Sequence, residues 1–370
     1  MIDILDSTLR EGEQTPGVTF SVEEKLVIAG LLDEFGVTII EAGHPAVSDD
    51  IFRGVREIAN QGYNAEILAH CRAMKEDIDL ARACDVDWVG IFFCVSNRRL
   101  EQQFRSNLDQ AIKLITNAIT YAKDHGLNVR YTPEDTVRTD YTSVVKVARA
   151  AIEAGADRIS IADTVGAMTP RRMYDFVTRL KSDVNVKLNI HCHNDLGLAT
   201  ANALAAYEAG VTTIDASVNG LGERAGITPL ADLCLGLHCL YRVTNHWKLE
   251  LLPQISQTVS EYSGMHISPT APVVGENAFL HNAGMHVAAI LHDPSHYEVF
   301  PAELVGRTRS FVLDKMAGAQ TIKRKLEQIG YTVCDTTVTK IMHYVKSKEK
   351  GRVSDEELIN FLKGITAEGT

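Results

Sequence analysis

The sequence has few cysteines, and they show no regular spacing. There are 7 in 370 residues, and no two of them are separated as C-x-x-C. An odd number of scattered cysteines in a chain of this size argues against the disulfide framework of a small secreted protein. We therefore expect most of the thiols to act as small core residues and the protein to be cytoplasmic.

The sequence also lacks an excess of positive charge and long apolar runs. Its 37 basic and 48 acidic residues leave a formal net charge of −11, which argues against a nucleic acid or an anionic membrane as partner. No apolar run approaches the roughly 18 residues that span a bilayer. The first residues lead directly into a strand, so we expect no signal peptide. The predicted partners are small molecules.

The sequence does contain a regular alternation of apolar strand-like runs and helix-like segments, from residue 2 to about residue 240. It amounts to eight β-then-α units, and the strands are nearly continuous apolar runs, as expected where both faces of a parallel sheet are buried. The first β–α turn lacks the G-x-G-x-x-G of a dinucleotide-binding domain. The pattern predicts an α/β fold, a closed (β/α)8 TIM barrel, rather than an open doubly wound sheet.

The alternation stops after residue 243, so the predicted barrel occupies residues 1–243. Residues 244–300 read as a linker that contains one helix and an irregular, proline-containing stretch. Residues 301–370 read as a small, mainly helical C-terminal subdomain. Within it, Ser354 precedes three acidic residues and is a predicted helix N-cap.

Two histidines follow the seventh predicted strand. His191 and His193 are two residues apart on extended backbone, so both imidazoles should point to the same side, with Cys192 opposite. Two imidazoles and a carboxylate from a distant strand would form a divalent-metal site with open positions. The alternative is a pair of hydrogen-bonded histidines at a strand end, and the motif after the first strand favours the metal.

Polar side chains end nearly every predicted strand. The carboxyl ends of the strands carry the catalytic residues of a (β/α)8 barrel, whereas loops are polar in any protein. The number of charged groups that end otherwise apolar strands favours a functional role. These residues are Asp6, Arg10, Glu11, Glu41, His70, Arg72, Arg130, Thr132, Glu134, Asp163, Thr164, His191, His193, Asn219 and Glu223.

Four motifs resemble those of the 2-isopropylmalate/homocitrate/citramalate synthase family, which is of the DRE-TIM metallolyase type. They occur in the family's order, and the resemblance covers essentially the whole chain. The motifs are Leu9–Phe20 (LREGEQTPGVTF), His191–Gly197 (HCHNDLG), Asn219–Gly226 (NGLGERAG) and Asn282–His286 (NAGMH).

The resemblance implies a Claisen condensation of acetyl-CoA with a 2-oxo acid, followed by thioester hydrolysis. Such an enzyme is an acyltransferase that converts the acyl group to an alkyl group on transfer. The resemblance also implies a divalent metal (Mg, Mn, Zn or Co) held by Glu11, His191 and His193. It assigns Arg10 to the keto oxygen of the substrate and Thr164 to the carboxylate of the 2-oxo acid.

Acid–base chemistry is implied for Glu223 and His286, with His286 donated by the partner subunit of a homodimer. A histidine held by a carboxylate is a reasonable base for the methyl group of acetyl-CoA. Two positions depart from the family pattern. Lysine-pathway members carry a tyrosine five residues after the linker histidine, where this chain has Leu291. His44 is the other departure, and we expect it to be a loop histidine rather than a residue that lines the pocket.

The fifth predicted strand indicates which 2-oxo acid is used. Arg130 and Thr132 share one face and match the Arg/Ser pair that binds the second carboxylate of 2-oxoglutarate in lysine-pathway members, and His70 matches a histidine near that pocket. A buried arginine without an anion is costly, and its alternative partner is Glu41 or Glu134. We expect 2-oxoglutarate, with 2-oxoisovalerate, pyruvate, oxaloacetate or phosphonopyruvate as alternatives.

Two other functions share part of this pattern. Acyl-CoA retro-aldol lyases have the same barrel and metal motif, but they lack the linker that contains His286. A non-catalytic barrel would serve as a binding or regulatory protein. The intact metal ligands and Arg10 argue against that hypothesis.

Overall fold

In the computed structural model, which describes residues 2–367, eight parallel strands close into a barrel in chain order. The last strand pairs with the first, with Asp3 opposite Thr213 and Asp6 opposite Ala216. The predicted (β/α)8 barrel is confirmed. Its strands are β1 Asp3–Asp6, β2 Ile39–Gly43, β3 Glu66–Arg72, β4 Trp88–Cys94, β5 Asn128–Glu134, β6 Arg158–Asp163, β7 Lys187–Cys192 and β8 Thr213–Ala216.

Helices alternate with the strands, as the sequence predicts, and local signals explain where they begin and end. Ser21 forms a capping box with Glu24 at the start of α1 (Val22–Phe35), and Gly36 ends that helix at φ 102°. The six-residue α4 (Asn97–Gln102) was not predicted, because it is too short to show a helical period. The others are α2 Asp49–Ala59, α3 Lys75–Ala83, α5 Leu108–Asp124, α6 Tyr141–Glu153, α7 Pro170–Asp183, α8 Ala199–Ala209, α9 Leu230–Tyr241 and α10 Leu252–Ser263.

The barrel strands are almost wholly buried, which explains their apolar sequences. Every residue of β2 and of β6 is buried. Near the carboxyl ends of these two strands, Glu41 and Asp163 are buried as well. A buried charge is costly unless it is paired or hydrogen-bonded, so the partners of such groups show where the barrel carries chemistry.

A second compact unit begins at Ser268, and the first extends to Ile267. The predicted N-cap of its last helix is confirmed, because Ser354 and Glu357 form a reciprocal capping pair. The boundaries predicted at residues 243 and 300 stay predictions. The elements of this unit are β9 Leu280–His281, α11 Gly284–His292, β10 Ser310–Phe311, α12 Ala319–Gln328, α13 Asp335–Ser347 and α14 Asp355–Ala367.

The thiols behave largely as the composition predicts. All seven cysteines are free, and five of them are buried; Cys239 is half-buried and Cys334 is exposed. Within residues 2–367, no helix is both long enough and apolar enough to cross a bilayer.

Candidate active site

A cavity of about 420 Å³ lies at the carboxyl ends of the barrel strands, where (β/α)8 barrels carry their active sites. Its lining comes from segments that are far apart in the sequence. The nine barrel residues to which the family resemblance assigns a role all line it. They are Arg10, Glu11, His70, Arg130, Thr132, Thr164, His191, His193 and Glu223.

A tight turn after β1 brings Arg10 and Glu11 into this cavity. The backbone N–H groups of Arg10, Glu11 and Gly12 all donate to the carbonyl oxygen of Ser7, over 3.1, 2.7 and 3.1 Å. Convergence of three donors on one oxygen bends the chain sharply, so two consecutive side chains reach the same cavity. The first motif therefore specifies a backbone shape as well as two charged groups.

Glu11, His191 and His193 form a cluster that fits a divalent metal ion. Their ligand atoms all lie within 4.8 Å of one another. The two Nε2 atoms are 3.3 Å apart, and each is 4.0 Å from a carboxylate oxygen of Glu11. A carboxylate and two imidazoles beside an open cavity are the donor set of a divalent cation with free coordination positions.

The electrostatics of the cluster keep Glu11 and His193 deprotonated at neutral pH. Burial opposes ionisation of Glu11, but the charge of Arg10, and then those of the two histidines, lower its pKa to about 2. Burial and the neighbouring His191 lower the pKa of His193 to about 4. A metal binds the deprotonated forms of these groups, so the cluster is prepared for a cation.

Asp215, in β8, orients His191, and the sequence analysis missed it. Its Oδ2 is 3.0 Å from Nδ1 of His191, which directs the Nε2 lone pair of that ring toward the cluster. The amide of Asn189 donates to Oδ1 of Asp215 over 2.8 Å. One signal was available, since an acidic residue inside the buried strand Thr213–Ala216 requires a partner.

We expect Asp215→Asn to weaken divalent-metal binding by about 10- to 100-fold, because His191 would lose the anion that fixes its orientation and raises its basicity. Calorimetric titration of the metal-free protein with Mn²⁺ measures this change. Asp124→Asn, at the exposed end of α5, is the matched control. Equal dissociation constants for the three proteins would contradict the orienting role.

Glu41 connects the other charged groups of the cavity. Its Oε2 accepts hydrogen bonds from Nε of Arg10 over 2.8 Å and from the hydroxyl of Ser7. Its Oε1 accepts from Nη2 of Arg130 over 2.7 Å and lies 3.0 Å from Nδ1 of His70. Burial opposes its ionisation, but the two guanidinium groups hold the pKa of Glu41 well below its usual value. Glu41 thus fixes both arginines in place.

Arg130 bridges two carboxylates rather than one. Besides Glu41, it contacts Asp215, with Nη1 3.2 Å from Oδ2. The sequence analysis named Glu41 or Glu134 as alternative partners, and the structure selects Glu41. Glu134 pairs with Arg99 instead. Arg130 therefore has carboxylate partners without a ligand, and it still lines the cavity.

The buried position of His70 predicts a pH-dependent contribution to stability. Burial, assisted by the charge of Arg10, lowers the pKa of His70 to about 4. Because the unfolded chain binds this proton near pH 6.5, the contribution is complete above pH 6.5 and is lost as the pH falls toward 4. We expect the difference in unfolding free energy between wild type and His70→Asn to shrink by about 3 kcal/mol over this range. Urea denaturation at several pH values measures it, and a constant difference would contradict the prediction.

The loop after β8 approaches the cluster because of its glycines. A Cβ atom on Gly226 would lie 1.8 Å from the carbonyl oxygen of Gly220, and Gly226 has φ +79°, so no other residue fits there. The fold of the loop lets the backbone N–H of Glu223 donate to Oε1 of Glu11 over 3.0 Å. The side chain of Glu223 pairs with Arg224 over 3.2 Å and lines the cavity.

Arg224 ties together the loops that follow three strands. It makes a bidentate contact with Asp195 over 2.7 and 3.0 Å. It also donates to the carbonyl oxygen of Thr164 over 2.7 Å. The hydroxyl of Thr164 in turn accepts the backbone N–H of Asp135 over 3.0 Å. Thr164 is thus held at the cavity wall from both sides.

His286 lies in the second compact unit, in the first turn of α11. Its ring packs against that of Tyr297 at a centroid distance of 4.3 Å, with the two planes tilted by 33°. Leu291, later in the same helix, is exposed. The pairing of His286 with Glu223 stays a prediction.

The prediction that His44 is only a loop residue is wrong, because its side chain lines the cavity. Its Nε2 lies 2.8 Å from Oδ2 of Asp77. Asp77 is in the first turn of α3 and has 1% of its side chain exposed. No local pattern indicates this contact, which joins residues 33 positions apart.

Comparison with family models and curated proteins agrees with this geometry. Residues 1–259 match the HMGL-like family model, and residues 273–352 match the model of the homocitrate synthase post-HMGL domain. The chain is 52% identical to the homocitrate synthase of Pyrococcus abyssi, over 94% of this chain and 95% of the relative. It is 44% identical to the homocitrate synthase of Saccharolobus islandicus, over 99% of this chain and 80% of the relative.

Solved structures with a similar fold include HMG-CoA lyases. That of Bacillus subtilis superposes with a TM-score of 0.66 at 18% identity, over 74% of this chain and 96% of the lyase. That of Pseudomonas aeruginosa gives 0.64 at 21% identity, over 72% of this chain and 94% of the lyase. At this level of identity the likeness concerns the fold.

Proposed function

The chain belongs to the HMGL-like family and, within it, to the homocitrate synthases, and on this premise we propose that it condenses acetyl-CoA with 2-oxoglutarate and water to give homocitrate and CoA. The observation that carries the proposal is a single cavity lined by a three-residue cluster of metal-ligating side chains and by two arginines, Arg10 and Arg130. A cation and two guanidinium groups are what a 2-oxo acid with a second carboxylate requires. The reaction is an acyl transfer in which the acyl group becomes an alkyl group.

Glu11, His191 and His193 would hold the divalent metal. When bound, the metal acts as a Lewis acid that polarises the keto group of the acceptor. The choice among Mg, Mn, Zn and Co depends on availability as much as on this donor set. Asp215 keeps the ring of His191 in the orientation that binding requires.

Arg10 is the residue that meets the charge formed in the condensation. When the methyl carbon of acetyl-CoA bonds to the keto carbon, the keto oxygen becomes an alkoxide. A guanidinium is charged at every working pH, and a fixed charge at a developing oxyanion lowers the barrier. Because Glu41 and Glu11 already hold Arg10, its position needs no rearrangement during the step. The hydroxyl of Thr164 serves the carboxylate next to the keto group.

The far carboxylate of 2-oxoglutarate is assigned to Arg130, Thr132 and His70. All three line the same cavity from β3 and β5. The guanidinium groups of Arg10 and Arg130 are paired with three carboxylates, those of Glu11, Glu41 and Asp215. The cavity therefore has no excess positive charge to attract a dianion until a metal cation is bound. This proposal predicts that 2-oxoglutarate binds weakly to the metal-free protein.

The reaction also requires acid–base groups, and a carboxylate and an imidazole are the candidates. Glu223 and His286 are assigned to acid–base chemistry, with His286 supplied by the partner subunit of a homodimer. A base must remove a proton from the methyl group of acetyl-CoA, and water must then cleave the thioester of the product. The relatives' name, homocitrate synthase, implies a role in lysine biosynthesis, and we include that role and a cytoplasmic location in the proposal.

The test of this function is release of free CoA from acetyl-CoA by the metal-loaded protein. The acceptors are 2-oxoglutarate, 2-oxoisovalerate, pyruvate, oxaloacetate and phosphonopyruvate, each assayed with several divalent metals. Turnover selective for 2-oxoglutarate supports the proposal, and preference for another acid overturns the acceptor assignment alone. If no acceptor is used, cleavage of the acyl-CoA products in the reverse direction would identify a lyase.

A further inference from the structure

His44 reaches the cavity because β2 ends in an irregularity. The pairing of β2 with β3 shifts register between Glu41 and Gly43. Gly43 has φ +149°, and a Cβ atom there would lie 3.0 Å from side-chain atoms of Ile51 and Val55. Bulges of this kind redirect side chains next to active sites. His44 thereby faces the cavity.

A buried carboxylate holds the His44 ring. Asp77 accepts hydrogen bonds from the backbone N–H, Nε and Nη2 of Arg72 over 2.9, 2.9 and 2.7 Å. Burial opposes its ionisation, but the hydrogen bonds from His44 and Arg72 outweigh it, and the pKa of Asp77 lies below its usual value. An ionised Asp77 accepts the Nε2 proton of His44, so the ring is fixed by one nitrogen.

The other ring nitrogen of His44 is available to a ligand. Across residues 2–367, no hydrogen bond to Nδ1 of His44 is formed. The ring lies edge-on to His70 and Phe92, at centroid distances of 5.8 and 6.4 Å, and these two rings stack on each other at 4.5 Å. The three rings form a wall of the cavity at the ends of β2, β3 and β4, beside the residues assigned to the far carboxylate.

The neighbouring cations are already engaged. Arg10 contacts Glu11 and Glu41, and Arg130 contacts Glu41 and Asp215. A ligand carboxylate that enters beside them competes with three protein carboxylates for two guanidinium groups. His44 is held by a separate carboxylate, Asp77, so its other ring nitrogen does not have this competition.

We propose that His44, positioned by Asp77, is a specificity-determining residue that binds the second carboxylate of the acceptor. The inference rests on the proposed function and extends its acceptor site. His44 contacts the acceptor, whereas Asp77 acts through His44 and is a positioning residue. The reacting keto group is served by Arg10 and the metal cluster, so His44 affects acceptor binding and leaves the chemical step to them.

The test compares steady-state kinetics of wild type, His44→Gln and Asp77→Asn. Glutamine reaches the position of Nε2 and keeps a donor toward Asp77, but it removes the nitrogen that faces the cavity. We expect His44→Gln to raise KM for 2-oxoglutarate about tenfold, with kcat within threefold of wild type and an unchanged KM for acetyl-CoA. Asp77→Asn should shift KM in the same direction by a smaller factor.

Selectivity separates this role from a structural one. The kcat/KM ratio of 2-oxoglutarate over 2-oxobutyrate, which lacks the second carboxylate, should fall about tenfold in His44→Gln. His125→Asn, at the exposed C-cap of α5, is the control that keeps wild-type values. Equal losses on both acceptors, or an unchanged KM, would overturn the role of His44 and leave the proposed function intact. Absence of 2-oxoglutarate turnover in wild type would overturn both.

The melting temperature of each variant is compared with that of the wild type, so that misfolding is recognised. If His44→Gln melts early, His44→Asn replaces it, since asparagine keeps a donor at the Nδ1 position and loses the contact with Asp77. Selectivity that survives in His44→Asn supports the proposal. Selectivity lost in His44→Asn while Asp77→Asn is unaffected contradicts it.

Discussion

Glu11→Gln is expected to abolish metal binding and to lower kcat/KM for homocitrate formation by on the order of a thousandfold. The substitution keeps the size of the side chain and removes the anion of the metal cluster. The two imidazoles that remain, with Nε2 atoms 3.3 Å apart, lack the charge that holds a divalent cation. The amide also deprives Arg10 of one of its two carboxylate partners. Calorimetric titration with Mn²⁺ and the CoA-release assay measure the two effects.

The control for this variant is Glu153→Gln, which is exposed at the end of α6. It should retain the wild-type metal affinity and rate. The assay uses a metal concentration above which the activity of Glu11→Gln no longer increases. Activity within tenfold of wild type under that condition would show that the cluster is not the metal site. Recovery of activity at high metal concentration would instead agree with a weakened site.

Arg130→Met is expected to raise KM for 2-oxoglutarate by about 30-fold or more, which corresponds to about 2–5 kcal/mol for loss of a buried charge partner. Arg130 is 2% exposed, and its guanidinium lies between Glu41 and Asp215. Its removal leaves two buried carboxylates next to the position of the ligand carboxylate. The variant should therefore repel the acceptor as well as fail to bind it. Initial rates against 2-oxoglutarate and 2-oxobutyrate measure the change.

Arg158→Met is the matched control, because Arg158 is also a buried arginine. Its guanidinium contacts Asp3 and Thr213, the first residues of β1 and β8. We expect this control to lower the melting temperature without changing the preference between the two acceptors. If Arg130→Met loses both acceptors equally, Arg130 supports the barrel and does not select the substrate.

Arg130→Met and the His44 variants examine one end of the cavity by different routes. Arg130 is tied to the metal cluster through Asp215, which also contacts His191. A substitution at Arg130 is therefore expected to change the affinity for the metal as well, whereas His44 and Asp77 have no contact with the metal ligands. Metal titration of both sets of variants distinguishes an effect on the acceptor from an effect on the cation.

The barrel and most of the candidate site follow from the sequence alone. Eight apolar strands that alternate with helices have few other ways to bury both faces of a parallel sheet. The polar residues that end those strands must then meet at one end of the barrel. This reasoning placed Arg10, Glu11, Arg130, His191 and His193 in one cavity, where the structure has them. Local periodicity and the barrel rule were sufficient for that much.

How the buried charges are shared depends on the three-dimensional fold. A sequence shows that Arg130 needs an anion, but the choice of Glu41 and Asp215 over Glu134 depends on which strands face each other across the barrel. Asp215 was missed because its partner His191 is 24 residues away on a neighbouring strand. The prediction for His44 was wrong for the same reason. The orientation of its side chain comes from a register shift in β2 and from a contact with Asp77 in α3. Hydrogen bonds between distant segments depend on closure of the barrel, and no local pattern in the sequence records them.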